Sequence, residues 1–136
     1  SRDLRLYAKA FRLGRPYWAG PKSALQYHLH QHDAVGALLA AVHPRNAGKI
    51  LYATDNAPAS FMQLMDDFAR RIGRRFPLHV PRIAAPVMRA IVREEHMQQT
   101  ALAMPARVPA PRVPGWTPAF ADYRAGLDQI IEAWNA

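Results

Sequence analysis

The chain has 136 residues, half of them hydrophobic and 21% charged, which is the length and make-up of a single globular domain and excludes a disordered or fibrous chain. It holds no cysteine, so disulfides and thiolate metal sites are excluded, and no apolar run approaches the ~18 residues of a membrane span. A formal charge of +8 invites a nucleic-acid reading, but the arginines that carry most of it are scattered and do not interleave with aromatic residues, which argues against a stacking platform.

Leu4, Tyr7 and Phe11 recur at helical spacing, and Gly14 is placed as the stop, so a helix opens the chain. Tyr17-Trp18 offers a short strand ended by Gly20-Pro21, and residues 25–32 alternate imperfectly as a second extended segment. From Asp33, read as the N-cap, Val35, Leu38, Leu39 and Val42 form one helical stripe that ends at Pro44. Lys49 to Thr54 reads as a buried strand, closed by Asp55-Asn56 and Pro58.

The next helix has the strongest local signal. Ser60 and Gln63 form a capping box, Phe61, Leu64, Phe68 and Ile72 share a stripe, and Gly73 supplies a left-handed exit. Phe76, Leu78 and Val80 then alternate as a short extended crossing, and Pro86 suits the first turn of a helix reaching about Met97. Five prolines between 98 and 120 forbid a regular helix, so an irregular surface wrap is expected. Tyr123, Leu127, Ile130, Ile131 and Trp134 share one face of a closing helix. About five helices and a few short strands make an α/β chain of the helix-rich, α+β kind, forming one domain over residues 1–136.

Few residues suggest chemistry by themselves. His28, His30 and His32 alternate as strand ligands for a metal would, but no carboxylate partner or His-x-x-x-His spacing completes a site, so a structural or pocket role is expected and no metal. Glu94, Glu95 and His96 diverge around a helix and do not face a common atom. No serine stands in a Gly-x-Ser-x-Gly context.

The order of the motifs is more telling. Leu29-His30-Gln31-His32-Asp33-Ala34-Val35 resembles the Ile-His-Val-Asp-Asp-Val-Ala segment of extended short-chain dehydrogenases/reductases, the NAD-dependent epimerase/dehydratase and 3β-hydroxysteroid dehydrogenase-like superfamily. Gly48 through Ser60, with Tyr52, Asp55 and Pro58, is similar to that family's Gly-x-x-Tyr-x-x-x-Asp-x-x-Pro-x-Ser strand and turn. Gly115-Trp116-Thr117-Pro118 resembles its Leu-Gly-Trp-x-Pro, and Tyr123, Gly126 and Leu127 its closing Tyr-x-x-Gly-Leu.

The resemblance implies the C-terminal portion of a Rossmann-type enzyme, with the NAD(P)-binding half lying upstream. Four residues after Tyr7, Tyr17, Tyr27, Tyr52 and Tyr123 stand Phe11, Pro21, Gln31, Asn56 and Leu127, so the family's Tyr-x-x-x-Lys pair is missing, as is its glycine-rich nucleotide loop. No catalytic residue and no cofactor site are therefore expected in this chain, and NAD or NADP is implied for the full-length protein. The expected partners are that upstream Rossmann domain and a small-molecule substrate, either a nucleotide-sugar or an apolar alcohol or ketone. The interface left open would favour a homodimer, and a cytoplasmic location is expected.

The resemblance suggests a substrate wall of Tyr17, Trp18, Gln26, Tyr27 and His30, with Met88 and Met104 as apolar wall and Arg107 and Arg112 as anion anchors, although ordinary core is the favoured reading for Tyr17, Trp18, Met88 and Met104. Gln26 stands where nucleotide-sugar members carry an arginine that grips the diphosphate, which removes a charge-assisted contact. The alternative is a non-catalytic binding or regulatory module that meets a protein partner or an anionic ligand through its basic surface.

Overall fold

The computed structural model describes residues 2–18, 20–74, 78–80, 82–84, 86–87 and 111–135. Among these it holds four helices and one two-stranded sheet, an α+β arrangement: α1 (Arg2–Arg12), β1 (Leu25–Gln26), α2 (Gln31–Ala41), β2 (Ala59–Ser60), α3 (Phe61–Arg71) and α4 (Tyr123–Asn135). Short 3-10 turns occupy Pro44–Asn46 and Arg82–Ala84. Residues 86 and 87 are helical, as expected for the first turn of a helix over 86–97, and the rest of that helix and most of the proline-rich wrap lie outside the described residues.

Local chemistry sets the helix ends. Gly14 leaves α1 at a φ of 66°, a conformation that costs a residue with a Cβ 1–2 kcal/mol or so. The Arg15 N–H then reaches the Ala10 carbonyl and the Gly14 N–H the Phe11 carbonyl, satisfying the last turn. Gly73, at 83°, ends α3 in the same way through Arg74 to Ala69 and Gly73 to Arg70. At its start, the Ser60 hydroxyl accepts from the Gln63 N–H at 3.1 Å while the Gln63 side chain accepts from the Ser60 N–H at 2.9 Å.

The core lies where α1, α3 and α4 meet. Phe11, Met65, Phe68 and Leu127 are almost fully buried, and Tyr17 joins them from the segment after α1. Tyr7, Phe11, Tyr17, Phe61 and Phe68 form a chain of tilted and edge-on ring contacts with centroids 5.1–6.5 Å apart. Such contacts add about 0.5–1.5 kcal/mol each beyond simple burial. Asp67 of α3, itself buried, accepts from the Tyr123 hydroxyl at 2.7 Å and from Arg124 Nε at 2.9 Å, and also pairs with Arg70. Burial opposes ionisation of Asp67, but these partners outweigh it and hold the carboxyl below its ordinary range.

Two expectations are corrected here. Asp33 is not the N-cap of α2: His30 takes that place, its Nδ1 accepting from the His32 N–H at 3.3 Å. The buried Asp33 carboxylate instead accepts the N–H groups of Ala119 and Phe120 at 2.7 and 2.9 Å, pinning the C-terminal tail across α2. The tail closes tightly there, since a Cβ on Gly126 would stand 3.0 Å from the His30 ring and one on Gly36 3.2 Å from the Trp116 indole nitrogen.

Second, the segment Lys49 to Thr54 is not a buried strand. Tyr52 alone makes a parallel bridge, to Arg112, and Ile50 is 78% exposed. The apolar stripe of α2 also faces outward, with Val35, Leu38, Leu39 and Val42 all more than half exposed, because α2 is held through its other side by the tail.

Candidate functional site

The described residue types best suited to chemistry meet at the N-terminal half of α3. Tyr17 pairs with His79 in an isolated parallel bridge, its N–H reaching the Leu78 carbonyl and its carbonyl accepting from the Val80 N–H, both at 2.9 Å. That places the Tyr17 hydroxyl, which donates to Asp66 Oδ1 at 3.1 Å, next to His79 Nε2, which lies 2.8 Å from the same oxygen. Burial, then the charge and hydrogen bond of Asp66, push the Tyr17 phenol above its ordinary range, so it acts as a donor and not as an acid near neutrality.

Asp66 and His79 keep about 30% of their side-chain surface exposed, so the pair can offer a hydrogen bond to a molecule outside. Met62, one turn before Asp66, lines a nearby cavity of about 430 Å³ together with Trp18, Pro21, Lys22 and Val80. The wall is largely apolar with one ammonium group.

The structure brings together only part of the expected substrate wall. Trp18 lines this cavity, with the buried Tyr17 behind it. Gln26 lies in β1 opposite Ala59, just before α3, and Tyr27 follows it half-buried. His30 is elsewhere, beneath the tail, with its ring 4.1 Å from that of Phe120. Arg112 is exposed and donates to Asn56 Oδ1 at 2.9 Å, in the bridge with Tyr52. Arg107, Met88 and Met104 lie outside the described residues.

Asp66, His79 and Met62 were not singled out from sequence. The i, i+4 spacing of Met62 and Asp66 was a usable signal for a shared face, but nothing local announces that Tyr17 pairs with a segment 62 residues later. The period-two reading of Leu78 and Val80 also hid His79, which turns toward Tyr17 while Leu78 is 57% exposed.

The three alternating histidines diverge because α2 begins at Gln31. His28 donates from Nε2 to the Ala59 carbonyl at 3.3 Å, and burial lowers its pKa against that opposing bond. His32 is largely exposed. Among the described residues no three His, Asp or Glu side chains gather as metal ligands.

Known proteins give two points of comparison. A 3-diazoavenalumate denitrifying reductase of Streptomyces sp. is 34% identical over 99 residues, covering 73% of this chain and 32% of the relative. The crystal structure of the human epimerase family protein SDR39U1 (isoform 2) with NADPH superposes with a TM-score of 0.68 at 20% identity, covering 95% of this chain and 43% of that one. The chain thus spans less than half the length of either protein. No protein-family model matches it.

Proposed function

We propose, taking as premise that this chain has the fold of part of an extended short-chain dehydrogenase/reductase of the epimerase kind, that it forms the C-terminal substrate-binding portion of an NAD(P)-dependent reductase. The observation that carries this reading is the superposition of 95% of the chain on 43% of an epimerase family protein crystallised with NADPH. Reduction is favoured over epimerisation because the relative with 34% identity is named a reductase.

In this reading the rest of the fold covers the outward stripe of Val35, Leu38, Leu39 and Val42 and pairs with the open side of residues 50–53, where Ile50 is 78% exposed. The cavity beside Trp18 and Met62 is one wall of the substrate site, and its apolar lining suits an apolar alcohol or ketone better than a nucleotide-sugar. The missing arginine at Gln26 points the same way.

Direct fluorescence of the reduced nicotinamide tests the proposal, because it reports on the nicotinamide end of NADPH and not on its phosphates. The 136-residue chain is expected to leave that emission unchanged, whereas the complete product of its reading frame shifts and strengthens it. A shifted emission with the isolated chain, or none with the complete product, would sink the proposal.

A further inference from the structure

A second cavity, of about 670 Å³, opens where the C-terminal ends of α1, α3 and α4 come together. Arg5, Lys9 and Arg12 of α1 line it at i, i+4 and i+7, one face of a helix, opposite the apolar side chains of Ile72, Ile131 and Trp134. Among the described residues no carboxylate pairs with any of the three. Arg71, also in the lining, is already held by Asp128, and the Arg74 guanidinium, bonded to the Arg12 carbonyl, adds positive charge nearby.

Like charges one turn apart destabilise a helix. The negative end of the α1 dipole offsets that cost for Lys9 and Arg12, which lie in its last turn, but its influence fades before Arg5. Arg5 is instead placed over the Trp134 indole, 5.6 Å from the ring centroid. The result is a pocket with one cationic wall and one apolar wall, and no carboxylate among the described residues pairs with the cationic side.

We propose that this cavity binds a phosphate-bearing small molecule with an apolar or aromatic body. The phosphate sits among Arg5, Lys9 and Arg12, the two guanidinium groups matching its oxygens in pairs and the Lys9 ammonium adding a point charge, and the body lies against Ile72, Ile131 and Trp134. The site is independent of the substrate wall described above. Its three cations line one cavity, which favours a compact ligand over a polynucleotide.

The test is calorimetry on the 136-residue chain with adenosine diphosphate, inorganic phosphate and a single-stranded oligonucleotide as separate probes. Saturable one-to-one binding of the diphosphate is expected, tighter than that of inorganic phosphate. Arg5→Gln with Lys9→Gln should weaken it about tenfold or more, the loss from charge-assisted hydrogen bonds. Glutamine keeps the helix propensity of these positions, so circular dichroism should be unchanged. Lys49→Gln, on an exposed turn, should bind as the parent does. Absent saturable heat, an equal loss in Lys49→Gln, phosphate binding as tight as the diphosphate, or oligonucleotide affinity that rises with length would each overturn the site.

Discussion

Asp55 shows how far burial can move one group. It is fully buried, it accepts the His28 N–H at 3.3 Å, and its second oxygen has no partner among the described residues. Burial, reinforced by Asp122, pushes its carboxyl up to about 6. A folded pKa above the unfolded one means stability that is complete below about pH 4 and lost as pH rises through about 6. Asp55→Asn keeps the acceptor for His28 and removes the charge. Its stability relative to the parent, followed by urea unfolding, should therefore improve between pH 4 and 7 by on the order of 2–3 kcal/mol. A constant difference across that range would show that the carboxyl titrates normally.

At the scale of elements, the C-terminal tail and α2 depend on one another. Asp33→Ala removes the acceptor of two backbone N–H groups and should cost about 2–4 kcal/mol, with Asp33→Asn losing less. Equilibrium unfolding monitored at Trp116, which packs on Gly36 of the same helix, reads the effect. A loss below about 0.5 kcal/mol would mean that solvent replaces both bonds.

The sequence carried those features whose determinants are local. The Ser60 and Gln63 box and the Gly14 and Gly73 exits depend on a few neighbouring residues, and all three were legible. The N-cap of α2 was not, because the residue with the best capping chemistry is claimed by a tail 86 residues away. Periodicity identified the stripe of Val35, Leu38, Leu39 and Val42 correctly but cannot say whether its cover lies within the chain. For the candidate site the same limit hid Asp66 and His79, whose meeting with Tyr17 depends on tertiary pairing alone.

For the molecule as a whole, the resemblance carried by motif order is borne out at the level of fold by the superposition on an epimerase family protein. The motifs do structural work in it: Asp33 and His30 grip the tail, and Trp116 and Gly126 meet α2 and its cap. No helix among the described residues is long and apolar enough to cross a membrane. With Leu38 and Leu39 69% and 71% exposed, the isolated chain should self-associate, as measured by light scattering across a concentration series. Leu38→Glu with Leu39→Glu should leave a monomer of unchanged circular dichroism, whereas a parent chain that is monomeric throughout would remove the stripe as a contact surface.

The pinning of residues 119 and 120 to Asp33 also bears on how the polypeptide is made. A ribosome has to deliver 86 further residues after Asp33 before its carboxylate meets the Ala119 N–H, so α2 waits during synthesis with that carboxylate unpaired. Such long-range closure slows folding and lengthens the interval in which a nascent chain can aggregate or be captured by a chaperone.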